Sequence, residues 1–197
     1  MTGENGRPRD SRIDSAVLSA AAALLTEVGY ADLTMAAIAD RAGTSRPAVY
    51  RRWPSKAHLV HEAVFQEADT SAVAATGSLE TDLRAIVTRT VALLTSPLAR
   101  LAVPGLIGEA AADATLNQRL LDRFAAQGWR GLDDHLAAAI ERGELRPGFD
   151  GGVLLEVVIG AALAALLFRG PDGLTDAWIE STTRVLLDGL RAEGGGP

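Results

Sequence analysis

TMAAIADRAGTSRPAVYRRWPSK, residues 34–56, holds two short helical runs on either side of a glycine. Thr34 is placed to cap a helix over Met35–Ala42, because its hydroxyl can accept one of the backbone N–H groups that a first turn leaves without a partner. Gly43 stops that run, since a residue without Cβ enters the left-handed conformation at no steric cost. Thr44 or Ser45 caps the next helix, Pro47 is tolerated in its first turn, and Pro54 keeps Trp53 from continuing it. A helix of about eight residues, a tight turn and a second short helix have the proportions of a helix-turn-helix reader. On the second helix Val49 faces inward, at the spacing that meets Ile38 and Ala39, and Trp53 belongs with the core. Arg46, Pro47, Tyr50 and Arg51 face out.

The outward residues suit a polyanion. A guanidinium presents a donor fork that matches phosphate or the acceptor edge of guanine, which makes Arg46 the first candidate for base contact. The Tyr50 ring can lie along the sugar-phosphate wall with its hydroxyl on a phosphate. Thr34, Thr44 and Ser45 stand at helix starts, where hydroxyls and free N–H groups bind anions, and Lys56 opens a fourth helix in the same way. Such contacts position a domain without carrying base information. Charge distribution agrees. Residues 1–60 hold eight Lys+Arg against six Asp+Glu, a balance of +2, and the rest hold eleven against nineteen, or −8, which together make the net −6. Five cations (Arg41, Arg46, Arg51, Arg52, Lys56) occupy residues 41–56 with no acid among them, and Lys56 is the only lysine of the chain.

Outside this stretch the sequence predicts helices throughout. Ile13, Val17, Ala21, Leu24 and Val28 make a 3.6-residue stripe closed by Gly29, and Ser55 opens a helix toward Ala75. Further runs are expected at 79–95, at 97–112 with an interruption at Pro104-Gly105, at 114–142, at 151–168 and at 173–192. No period-2 alternation is long enough for a strand. The fold class is therefore all-α, with 1–10 as a disordered tail, 11–54 as a three-helix DNA-binding domain and 55–75 as a connecting helix. A further helical domain follows over 76–192, with a second disordered tail at 193–197. At 197 residues with 48% apolar content there is ample material for a core. Cysteine is absent, which excludes disulfides and thiolate chemistry and favours a reducing compartment. The opening MTGENGRPRDSR has no apolar run of a secretory signal, so a cytoplasmic location is expected.

Enzyme chemistry finds no set of residues. There is no Walker loop, no G-x-G-x-x-G and no G-x-S-x-G elbow. Asp133 and Asp134 are adjacent, so on a helix they diverge by about 100°. His58-x-x-His61-Glu62 could offer two imidazoles to zinc but lacks a third ligand, so neither a metal nor a cofactor is expected. Among the helices of 79–142, Glu109, Arg123, Gln127 and His135 are polar residues in apolar surroundings, and Phe124 and Trp129 could form the walls of a cavity beside the Pro104-Gly105 break. Segment 151–168, GGVLLEVVIGAALAALLF, is apolar around its circumference apart from Glu156. It is short for a membrane span, carries a carboxylate and is rich in small residues, so packing on both sides, by its own domain and by a second subunit, is the simpler reading. Gly160, Ala161 and Ala164 would let such helices approach closely, and Trp178 and Val185 on the following helix would complete a four-helix dimer interface. A central helix of a monomeric bundle is the alternative.

Gly29-Tyr30-Ala31-Asp32-Leu33-Thr34, Ile38-Ala39, Ala42-Gly43-Thr44-Ser45 and Val49-Tyr50-Arg51-Arg52-Trp53-Pro54-Ser55-Lys56 together resemble the N-terminal domain of the TetR/AcrR family of bacterial transcriptional repressors, over roughly residues 11–65. The loop Arg142-Gly143-Glu144-Leu145-Arg146-Pro147 adds a weaker likeness in the C-terminal part. The resemblance implies a homodimer whose N-terminal domains bind the halves of a palindromic double-stranded operator and whose helical C-terminal domains hold a small-molecule inducer. By position it implies DNA contacts at Thr34, Thr44, Ser45, Arg46, Pro47, Tyr50, Arg51 and Lys56. Arg52 and Trp53 stand where the family often has His-Phe. A helical sensor or protein-interaction module without operator binding is the alternative function.

Overall fold

The computed structural model describes residues 11–65, 76–118 and 132–190, and among these every regular element is helical. The expected tails at 1–10 and 193–197, the course of the fourth helix beyond Phe65, and Arg123, Phe124, Gln127 and Trp129 lie outside the described residues. The chain divides into two compact units, one gathering residues up to 67 with 101–117, the other 68–100 with 118–197.

In the first unit, helix α1 (Ser11–Asp32) buries the stripe Val17, Leu18, Ala21, Leu24 and Leu25 and packs against α2 (Met35–Arg41) and α4 (Lys56–Phe65). Its helical ladder breaks at Gly29, whose φ of 74° is open to glycine and strained for other residues. Thr34 caps α2 by accepting the Ala37 N–H at 3.1 Å. Gly43, at φ 65°, turns the chain so that the Thr44 N–H closes on the Ala39 carbonyl at 3.0 Å. Ser45 then caps α3 (Arg46–Tyr50), accepting from Ala48 N–H, with Pro47 in its first turn. Ile38, Ala39, Val49 and Trp53 are buried together with Leu33, Leu59 and Val60.

Helix α6 (Pro97–Ala112) begins in the second unit and enters the first at Leu101. The sequence predicts an interruption at Pro104-Gly105, and the helix runs straight through both residues. Pro104 lies on the exposed side, where water can serve the Arg100 carbonyl that the missing N–H leaves without a donor. Residues 114–118 are helical as well (α7).

The second unit is organised on α5 (Leu79–Thr95), which packs against α8 (Leu132–Glu141), α9 (Gly151–Arg169) and α10 (Asp176–Leu190). Ser78 caps α5 and the buried Asp82 carboxylate accepts the N–H and hydroxyl of Thr76 at 2.9 and 2.8 Å. The loop after α8 is a clasp: Glu144 accepts the Leu79 N–H at 2.7 Å and is held by Arg142, and the Arg146 N–H reaches the Leu190 carbonyl at 3.3 Å. Leu145 between them is buried. One short loop thus satisfies the start of α5 and the end of α10.

Helices α1 and α9 are long and apolar enough to cross a membrane by length and composition. In α9, however, Leu154, Val158, Ala162 and Ala165 are buried inside the unit, while Val153, Val157, Leu167 and Phe168 are exposed, Phe168 by 83%. The expected burial on every side is therefore met on one side only within a single chain. On α10, Ile179, Thr183, Leu187 and Leu190 face the unit's interior and Val185 is 73% exposed. Gly160 and Ala164 are exposed, and Ala161 and Trp178 half-buried, so each keeps surface that the unit does not cover.

Candidate nucleic-acid interface

The surface that the cap residues build is the outer side of α3 with the turn before it. Ser45, Arg46, Pro47 and Arg51 are exposed, and the Tyr50 ring is 51% exposed while Val49 beside it is 1% exposed. The alternation follows from helical geometry: one residue anchors the helix to α2 and those a quarter-turn or more away project outward. Thr34 is exposed, and its oxygen already accepts the Ala37 N–H, which leaves the hydroxyl hydrogen for an outside acceptor. Thr44 is half-buried in the turn.

The five cations of residues 41–56 divide into two kinds. The side chains of Arg46 and Arg51 have neither ion pair nor hydrogen bond among the described residues. The other three are engaged. Arg41 grips Glu27 of α1 with two parallel hydrogen bonds, the Nη2–Oε2 one at 2.8 Å, and each partner holds the other in its charged form, Glu27 below the ordinary carboxylate range and Arg41 above its own. Arg52 pairs with Asp14 of α1. Lys56 donates to the Tyr30 carbonyl at 2.8 Å with its ammonium 4.3 Å from the centre of the Tyr30 ring. The window free of acids in sequence is therefore not free of them in space. An exposed phosphate-ready charge remains at Arg46 and Arg51, and Lys56 keeps N–H donors beyond the one it uses.

Trp53, buried, donates its indole N–H to Glu62 at 2.8 Å. That bond removes Glu62 from the His58-x-x-His61-Glu62 group. His58 faces Ser55 at 2.9 Å and His61 lies against Phe65 with ring centres 5.2 Å apart, both histidines buried. Among the described residues no three His, Cys, Asp or Glu side chains gather in a way that could hold a metal ion.

Sequence reasoning passed over Tyr30, Asp14 and Glu27. Only Gly29 before Tyr30 signals it, as a residue able to break α1 near its end. Of the expected pocket residues the described ones are Glu109, in the first unit with its carboxylate 2.7 Å from the Tyr30 hydroxyl, and His135, half-buried on α8 of the second.

Residues 17–63 match the profile of bacterial regulatory proteins of the tetR family, and residues 73–186 match that of the tetracyclin repressor-like C-terminal domain. The HTH-type transcriptional regulator YdeS of Bacillus subtilis (strain 168) is 31% identical over 193 residues, 98% of this chain and 96% of that protein. A DNA-binding transcriptional repressor TetR of Mycobacteroides abscessus is 31% identical over 84% of this chain and 86% of its own length. Among solved structures, the TetR family transcription regulator SCO0332 is 30% identical with a TM-score of 0.64, covering 91% of this chain and 99% of its own. Salmonella enterica GusR shares the fold at 19% identity and a TM-score of 0.63, covering 95% and 98%. These relatives and profiles are those of transcriptional regulators and not of enzymes. With both halves matched in order along one chain, and a cap-turn-cap reading head standing where the N-terminal profile lies, the protein belongs to the TetR family of bacterial transcriptional regulators.

Proposed function

We propose that this regulator is a repressor that binds a palindromic operator as a homodimer in the cytoplasm and is released by a small-molecule ligand. The observation that carries the reading is the outer face of α3, where Arg46 and Arg51 stand exposed and without acidic partners beside the half-exposed Tyr50. Arg46, at the first position of α3, reads a base edge. Arg51, Tyr50, Thr34, Thr44, Ser45 and Lys56 hold phosphates, and Pro47 lines the approach. The repressor role is supported by the Mycobacteroides abscessus relative, which is named as a DNA-binding repressor.

A second copy covers the apolar outer side of α9 and α10, where Gly160, Ala161, Ala164, Trp178 and Val185 lie. An isologous pair places two α3 helices so that half-sites fall about one helical turn, 34–36 Å, or a multiple of it apart. The ligand is held by the helices that follow the reading head, with His135 among its contacts and Arg123, Phe124, Gln127 and Trp129 as further candidates. Its effect is limited to its differential affinity for the DNA-competent and incompetent states.

The test is binding to a duplex selected by the protein from a randomised pool, measured across a series of salt concentrations. Neutralisation of Z phosphates gives a log–log slope of about −0.9Z. A steep slope with a two-fold symmetric footprint is expected. A slope near zero would leave the non-DNA reading, a helical sensor or interaction module.

A further inference from the structure

The Tyr30 side chain stands at the centre of an arrangement that neither the family profiles nor the reading head itself accounts for. Gly29 breaks α1 with φ 74° and ψ 177°, and the Tyr30 carbonyl, in the last turn before the helix ends at Asp32, has no intrahelical N–H four residues on and is open to an outside donor. Lys56, the sole lysine, takes that place at 2.8 Å and lies over the ring at 4.3 Å from its centre. The ring itself rests on α6. A Cβ on Gly105 would collide with its Cδ1, Cε1 and Cγ atoms, so glycine is the residue that lets helix and ring meet. Four residues on, one turn along α6, the Glu109 carboxylate accepts the Tyr30 hydroxyl at 2.7 Å. Burial first, and Glu109 second, push the phenol above its ordinary value, so it remains a donor throughout the physiological range. One ring is thus held by α6 on its hydroxyl end and holds an ammonium on its face.

On the reading that α3 and the start of α4 bind DNA, we propose that Tyr30 and Glu109 are positioning residues for Lys56, so that the seat of Tyr30 on α6 decides whether Lys56 delivers its charge to a DNA phosphate. An ammonium has three donors, and the Tyr30 carbonyl uses one. Fixed by that bond and by the ring, the flexible four-carbon stem loses its freedom before DNA arrives, and two ammonium donors at the start of α4 remain for an outside acceptor. A shift of α6 that lengthens the 2.7 Å bond frees the ring, and Lys56 then returns to the ensemble of an ordinary surface lysine. The arrangement acts on one phosphate contact within each head and does not require the two heads to change their separation.

The experiment uses the full chain and a random-sequence DNA duplex long enough for both heads, with the salt slope measured for Lys56→Ala in several backgrounds. In the wild-type background, losing Lys56 should lower the slope by about 0.9 per head. In Tyr30→Leu, which removes ring and hydroxyl, and in Glu109→Leu, which removes only the acceptor on α6, the same substitution should change the slope by less than half as much. Tyr30→Phe cuts the same bond as Glu109→Leu and should match it. Glu109→Gln keeps an acceptor oxygen and should behave as wild type. Arg51→Ala should have its full effect in every background, which separates a specific loss at Lys56 from general loosening of the head. Equal Lys56→Ala effects in all backgrounds overturn the proposal while leaving DNA binding intact, and so does a parallel decline at Arg51. Salt-independent binding by the wild type overturns the DNA reading, and this inference with it.

Discussion

Arg51 and Arg52 are neighbours in sequence with opposite surroundings: the first projects from the outer face of α3 without a partner among the described residues, and the second turns back to Asp14 of α1. The whole cationic stretch divides along the same line. Arg46 and Arg51 belong to the outer face; Arg41, Arg52 and Lys56 belong to a seam that ties the reading helices to α1. A cation on the face contributes to binding and little to folding, because an exposed unpaired charge is already solvated. Arg41 and Arg52 have their guanidiniums taken up by acids of α1 and add little to binding, while Lys56 keeps ammonium donors beyond the one it gives the Tyr30 carbonyl and serves both seam and face. Residue type and local sequence are the same in both regions, and the difference is made by acids and carbonyls supplied from a distant helix.

The largest effect that the contrast predicts lies in the seam's apolar backing. Trp53→Ala removes a buried indole and leaves Glu62 without its donor, and should cost about 3–5 kcal/mol of stability, measured by urea unfolding. Trp53→Phe keeps most of the apolar surface and loses the hydrogen bond, and should cost about 1 kcal/mol. If both variants melted with the wild type, Trp53 would not be the keystone of α3 and α4.

On the face, Arg46→Ala should leave the unfolding midpoint unchanged and reduce discrimination at one or two base pairs of the selected duplex by about 1–3 kcal/mol. Lys56→Ala should weaken selected and random duplexes by the same factor, as expected of a phosphate contact. Equal losses on both duplexes for Arg46→Ala would move that residue from base reading to backbone holding. Between face and seam in magnitude stands Asp14→Asn. It removes the counter-charge of Arg52 in a half-buried pair and should cost about 1 kcal/mol of stability, with DNA affinity unchanged or slightly raised.

The reading head was legible because its signals are local. Thr34 and Ser45 each cap within three residues, Gly43 turns within one, and Val49, Ile38 and Ala39 are all buried where α3 packs on α2. The seam was not legible, since Glu27 is 14 residues from Arg41, and the bond from Tyr30 to Glu109 spans 79. Counting acids inside a short window finds a true local property and misses neighbours brought by the fold. Helix α6 shows the same limit from the other side: Pro104 reads as a break, and only its exposed setting makes the lost N–H tolerable. The role of Glu144 in capping α5 depends on a residue 65 positions earlier, and its loop could be noted as a likeness without its mechanism. In α9, composition correctly marks two apolar sides, and burial in the chain divides them into one packed and one open.

The smallest effect is the sharpest test of the division, because it adds a charge to the DNA face without adding a residue. Glu27 holds Arg41 on an exposed surface, so the pair contributes little to folding at neutral pH. The sign of its pH dependence follows from the lowered carboxyl: such a group stabilises the folded chain above its ordinary value of 4.5, and that contribution fades as pH falls through the lower folded value. Glu27→Gln should therefore unfold almost as the wild type does at pH 7, with the two curves merging on acidification below 4.5. In binding, the same substitution releases the Arg41 guanidinium. The salt slope on a random duplex should then steepen, by no more than one contact's worth, about 0.9 per head, and Arg41→Gln in the Glu27→Gln background should return it to the wild-type value. Arg41→Gln alone should leave the slope where it was. A loss of slope from Arg41→Gln in the wild-type background would place Arg41 on the face, and the boundary between binding and bracing cations would have to be redrawn one helix earlier.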